Sequence, residues 1–368
     1  TVIILFFIGI VQFVKELQEK TLPNFFKKVG ILVIAALLGG ATNYTRLATT
    51  MEYGPETQRG KSELSKRVTE ALWLNMSDDE KMDALFNVVK EPDIPDEFLN
   101  KQWNKLPERF RSDMRIDAKE NSDGLSFDYI TDYSYGISET MTFLIPNFMG
   151  GEMRAGNIDH SSEFYKSTPN QDKKIVDTKI SSYWGDKGAA APTYVGAIIM
   201  FLFVLGIFYV KSPYKYWILL STILSLMLGW GKNMSFVSEF FINYFPYYNK
   251  FRAVTMAMII AEFGIALLAI LSLNKFLNKD DNKEKEKKLK LAFYITGGIT
   301  LLLAIIPSLF LNFQGSIDNV LSEDGWNNVS LLQDYRADIL SADSWRSFIF
   351  IFLSAGVLWM FIKGNIKK

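Results

Sequence analysis

The chemistry open to this chain rests on carboxylates, aromatic rings and a few cations, because it holds one histidine and no cysteine. Disulfides, thiolate metal sites, iron–sulfur clusters and cysteine nucleophiles are excluded, as are polyhistidine metal sites. A metal, if one takes part, is Mg²⁺ or Mn²⁺ on oxygen ligands. The candidates gather in short patches. Residues 128–151 carry Asp132, Tyr135 and Glu139 among aromatics and glycines; Tyr183, Trp184, Gly185 and Asp186 precede a third run around Tyr194. A related patch covers 53–64. Aromatic faces stack on sugar rings, and carboxylates bond to hydroxyls or act as general bases. Single rings near a membrane boundary also form ordinary interfacial belts, so the set carries more than any member.

Two cations stand apart. Lys250 and Arg252 close the aromatic stretch 245–252. Arg can grip a phosphate with a two-point fork and Lys as a point charge; alternatively both snorkel to lipid phosphates. Pro246 and a helix opening at 253 would add N–H groups and a dipole to that anion site. Glu262 lies inside an apolar run, either protonated against a neighbouring helix or lining a polar path. His160 sits in a polar stretch and reads as a surface residue.

The elements that must position these residues are membrane helices. Lys+Arg and Asp+Glu balance at 40 each, which argues against a nucleic-acid partner held by bulk charge. The modest mean hydropathy of +0.08 averages long apolar blocks with highly charged ones. Apolar runs at 1–14, 29–46, 193–210, 216–230, 253–274, 291–311 and 346–362 approach the span of a bilayer. The expected fold is an all-α polytopic membrane protein of about seven transmembrane helices, with a mostly helical extracytoplasmic module between spans two and three.

Lysines set the sidedness, falling at 15–28, 211–215, 279–290 and 363–368 on one side, which is then cytoplasmic. The expected parts are two helices in 1–46, the first shortened; an outer module at 47–192; and three helices in 193–275, with an interfacial loop at 231–252. A charged cytoplasmic loop at 276–290 follows, then two helices in 291–368 around an outer loop at 312–345. In the module, periodicity predicts helices over 62–89 and 96–120, with a capping box from Ser77 to Glu80. The polar piece 152–179 reads as a mobile loop. Segments 128–151 and 183–196 are expected to pack together against the membrane face, burying Phe143, Leu144, Ile145 and Phe148.

Tyr135-Gly136, Glu139-Thr140, Ile145 to Phe148, Gly150-Gly151, Tyr183 to Asp186, Tyr194 to Gly196, Gly229 to Asn233 and Tyr248 to Arg252 resemble, in that order, the YfhO-like membrane proteins of Bacteroidota. The resemblance covers about 53–64 and 128–263. It implies a GT-C-type glycosyltransferase of the bacterial cytoplasmic membrane, moving a sugar from a polyprenyl-phosphate carrier to an acceptor on the periplasmic side. Under it, Arg252 and Lys250 are candidates for the phosphate. Glu139, Asp132 and Asp186 are candidates for substrate hydroxyls or metal, and Trp184 and Tyr135 for stacking. No residue matches the family's catalytic carboxylate, which is expected upstream of residue 1. Expected partners are the lipid-linked sugar, membrane lipids and envelope proteins. A noncatalytic subunit of an envelope assembly is an alternative reading, as is a transporter of lipid-linked glycans, although Glu262 alone lies deep in a span.

Overall fold

The computed structural model describes residues 2–53, 125, 127–185, 193–278, 281–315, 318, 326 and 328–366. The helices expected over 62–89 and 96–120, the capping box at Ser77, nearly all of the 53–64 patch, and Asp186 lie outside the described residues. Among the described residues every regular element is helical. Four helices are long and apolar enough to cross a membrane: Leu22–Thr42, Val254–Phe276, Asn282–Ile305 and Val329–Ile362. The described residues are thus all-helical in their regular structure, and their apolar helices make this a membrane-embedded chain. The other three runs expected to span give shorter helices of 17, 13 and 16 residues: α1 (Val2–Gln18), α7 (Ala197–Tyr209) and α8 (Tyr214–Gly229).

The chain forms two compact units. The first comprises residues 1–32, 131–238 and 253–368. In it, α1 is followed by residues 22–32 of α2 (Leu22–Thr42) after a turn whose Lys20 has φ 57°. Glu16, near the end of α1, is buried and accepts from Gln12 Nε2 at 2.7 Å, Thr21 Oγ1 at 2.6 Å and Lys28 Nζ at 2.6 Å. These hydrogen bonds, Lys28's first, hold its carboxyl at about 2. The lysines expected between two spans thus belong to helix ends and a tight turn, where Lys28 has a specific partner.

The main core of this unit joins α7, α8, α10 (Met258–Phe276), α11 (Asn282–Ile305) and α13 (Val329–Ile362). Phe201, Leu205, Tyr209, Ile218, Leu268, Phe276, Leu340 and Ile351 are all buried in it. Gly206 lets α7 approach α10 closely, since a Cβ there would stand 2.9 Å from Leu268 Cγ and 3.0 Å from its backbone oxygen.

Three expectations about loops are corrected. The charged run 276–290 is helical from Asn282, because Lys and Glu are good helix formers and Asp281 caps the start, accepting from Lys283 N at 2.9 Å. The outer loop 312–345 is helical from Val329, within one 34-residue helix of about 51 Å against a hydrocarbon core of about 30 Å. The polar piece 152–179 is folded rather than loose. It forms α5 (Glu163–Ser167), whose Ser162 accepts from Tyr165 N, and α6 (Lys173–Lys179). Three of its apolar side chains, Ile158, Phe164 and Val176, bury with Ile180 against Trp326 and Leu332 in a second core.

The second unit comprises residues 33–130 and 239–252. It includes α3 (Tyr44–Tyr53) and most of α9 (Ser235–Tyr244). Leu125 N donates to Asn249 O at 2.8 Å, and Phe241 packs against Phe245 and Tyr248 at centroid distances of 5.4 and 5.5 Å. Burial pushes the Tyr248 phenol up to about 12.

Candidate functional site

Within the first unit, the scattered aromatic and glycine-rich segments converge. Tyr135 N donates to Gly229 O at 2.9 Å, and Asn233 Nδ2 donates back to Tyr135 O at 2.9 Å. Lys232 N donates to Ser134 Oγ at 2.8 Å, and the Trp230 indole donates to Thr140 Oγ1 at 2.9 Å. Gly231 permits this approach: at φ 49°, a Cβ there would stand 2.1 Å from Ser134 Oγ. On the other side of the knot, Trp184 N donates to Met149 O at 3.1 Å and Thr142 Oγ1 donates to Thr193 O at 3.2 Å. The expected packing of 128–151 on the described part of 183–196 is therefore present, with Phe143, Leu144, Ile145 and Phe148 buried in the main core.

Glu139 lies at the centre, 1 % exposed, in a six-residue 3₁₀ turn. Its carboxylate accepts from Gly136 N at 2.6 Å and from the Tyr183 hydroxyl in a short hydrogen bond. Gly185 closes over this pair, since a Cβ there would stand 2.1 Å from Glu139 Oε1. Tyr135 is equally buried; its hydroxyl shares a 2.5 Å hydrogen bond with Thr142 Oγ1, and desolvation raises its pKa. Trp184 is half-buried with its ring edge-on to Phe313 at 5.2 Å and tilted against Phe148 at 6.3 Å. Asp132 is exposed. The structure thus brings Tyr135, Glu139 and Trp184 together as parts of one packed turn system.

The chief residue missed from sequence is Arg336. It is fully buried and pairs with Asp318 at 2.6 and 3.1 Å. It also donates to Phe313 O at 2.8 Å, Ser182 O at 3.2 Å and Ser181 O at 3.2 Å. One α13 side chain therefore holds the strand of chain that leads into Tyr183 and Trp184. Further along the same helix, Asp343 Oδ2 accepts from Asn147 N at 3.1 Å and Ser347 Oγ donates to Leu144 O at 3.0 Å. The signal was available: Leu332, Arg336, Leu340, Asp343, Ser347 and Ile351 recur at helical spacing, and all are buried.

Arg252 and Lys250 belong to the second unit. The Arg252 guanidinium lies 4.5 Å from the Tyr129 ring centroid, and its Nη1 donates to the Tyr129 hydroxyl at 3.1 Å. This combines a cation–π contact with a hydrogen bond. Lys250 is half-buried in a short 3₁₀ turn that follows Tyr247, at φ 63°. The helix expected to open at 253 begins later: Phe251 is extended, Ala253 has φ 65°, and a 3₁₀ turn at Val254–Ala257 precedes α10. Arg252 is therefore not a first-turn residue, and the helix-dipole part of the expected anion site is withdrawn.

His160 is exposed, as expected; it stacks on Tyr165 at 4.1 Å and meets Asp177 at 3.1 Å. Glu262 is partly exposed on α10 and has no hydrogen-bond partner among the described residues, so the expected bond to a neighbouring helix is not formed there. Among the described residues, no group of three or more His, Asp or Glu side chains is placed to hold a metal. No protein-family model, curated protein or solved structure matches the chain.

Proposed function

We propose that this chain is part of a GT-C-type membrane glycosyltransferase. It handles a polyprenyl-phosphate-linked sugar at the periplasmic face of the bacterial cytoplasmic membrane, where residues 47–192 face. The observation that carries the reading is the convergence of the segments 134–151, 182–185, 193 and 229–233. Far apart in sequence, they form one hydrogen-bonded platform on a membrane-embedded helix bundle. These are the segments in which the resemblance lies. In this reading Glu139 builds the platform through Tyr183 and Gly136, and Asp132 meets a substrate hydroxyl. Arg252 and Lys250, in the second unit, are a separate phosphate-binding part of this reading.

The test is turnover. The complete protein that carries this chain is reconstituted in liposomes with a labelled polyprenyl-phosphate-linked hexose and a hydroxyl acceptor, and transfer of the label to the acceptor is followed together with release of polyprenyl phosphate. Chain-dependent release that falls on Asp132→Asn or Arg252→Ala is expected. A chain that binds the lipid but never releases the sugar belongs to the second reading, a noncatalytic subunit of an envelope assembly. One observation favours that reading: the buried Glu139 carboxylate has both oxygens engaged inside the fold.

A further inference from the structure

The ends of α7, α10, α11 and α13 meet at a surface built from lysines and aromatic rings. Asn282 Nδ2 donates to Ile362 O at 3.4 Å, and the Tyr209 and Phe276 rings touch at 5.7 Å, so these four ends lie together. The described residues of 207–217, 275–290 and 359–366 hold nine lysines against three carboxylates. Both glutamates are engaged internally, Glu284 by Lys211 at 2.8 Å and Glu286 by Lys290 at 2.9 Å and Lys363 at 3.1 Å.

Two half-buried lysines are organised differently. Lys215 Nζ donates to Ile207 O at 3.2 Å and Lys275 Nζ donates to Tyr209 O at 3.2 Å, both in the last turn of α7. Each ammonium also lies over a tyrosine ring, Lys215 at 5.3 Å from Tyr216 and Lys275 at 5.1 Å from Tyr209. Neither meets a carboxylate among the described residues. Beneath them Lys285 is 3 % exposed, donates to Asn278 O at 2.6 Å and lies over Phe276 and Phe361. This end of the bundle therefore concentrates ammonium groups whose partners are carbonyl dipoles and ring faces. Such partners orient a cation without neutralising it.

We propose that this end is a binding surface for anionic phospholipid, with Lys215 and Lys275 contacting the headgroup phosphate. Three features select a lipid over a soluble anion or an acidic protein. The surface continues directly from helices long and apolar enough to cross a membrane. Its exposed rim carries Tyr214, Tyr216 and Trp359, the aromatic types that sit at headgroup depth. Its surplus positive charge complements the anionic leaflet. The inference is independent of the glycosyl-transfer reading.

The test is native mass spectrometry of the full chain in detergent with added phosphatidylglycerol or phosphatidylcholine. At low salt the chain is expected to prefer phosphatidylglycerol, and the preference falls about fivefold for each lysine removed in Lys215→Gln and Lys275→Gln. Lys215→Arg with Lys275→Arg keeps it. Equal binding of the two lipids, or an unchanged preference in the folded double Gln variant, overturns the proposal. If the double variant does not fold, salt decides on the unaltered chain: a preference undiminished by raising the salt to about 0.5 M, where the Debye length is about 4 Å, also overturns it.

Discussion

Arg336 shows how one side chain sets a surface it never reaches. A guanidinium with no exposure is tolerated because Asp318 meets it bidentately and backbone carbonyls take its remaining donors. Removing one partner leaves the other charged and buried. Arg336→Met is therefore expected to destabilise the fold by about 3–5 kcal/mol. The double change Arg336→Met with Asp318→Leu should cost less than the two single changes added together. Unfolding of the purified chain in detergent measures both, and a single variant as stable as the parent would contradict this account. Sequence reading found Tyr135, Glu139 and Trp184 because their aromatic and glycine-rich context is visible in any window. Helical spacing marks Arg336 as a core-facing position, but its role is not legible, because it depends on carbonyls more than 150 positions away and on Asp318 in an irregular stretch. Arg252 stands out in the sequence, but its contact with Tyr129 does not, for the same reason of distance along the chain.

At the scale of elements, apolar runs located the helices but not their ends. A hydropathy window closes where charge begins, whereas the helix continues as long as hydrogen bonds and caps allow. The helices from Asn282 and from Val329 start in charged sequence that such a window rejects. Likewise 152–179 is poor in apolar residues, yet Ile158, Phe164 and Val176 bury together, a pattern invisible without the partners Trp326 and Leu332. The turn between α1 and α2 gives a pH-dependent expectation. The Glu16 carboxyl is held at about 2 against an ordinary value of 4.5. Its contribution is present in full above the ordinary value and is lost as pH falls towards 2. Glu16→Gln should therefore lower the melting temperature near neutral pH, and the gap to the parent should close as pH drops from 4.5 to about 2. A gap of constant size across that range would show that the carboxylate charge does not hold the turn.

At the largest scale, the helix bundle of the first unit carries a folded platform at one end of its helices and a lysine-rich surface at the other. Cysteines introduced at Asn170 and Asp281 into this cysteine-free chain should label from opposite sides of sealed vesicles, Asn170 from the periplasmic side. Labelling of both from one side would overturn the topology. The claim at the centre is that the chain holds a polyprenyl phosphate, and binding tests it most directly. Affinity of the reconstituted full chain for a fluorescent polyprenyl phosphate is measured for the parent, Arg252→Ala, Arg252→Lys and Lys250→Arg. The guanidinium, stacked on Tyr129, gives a planar two-point grip that an ammonium cannot reproduce. Saturable binding is therefore expected, reduced roughly tenfold or more in Arg252→Ala, clearly weaker in Arg252→Lys and nearly unchanged in Lys250→Arg. Absence of saturable binding, or full affinity in Arg252→Ala, would contradict it.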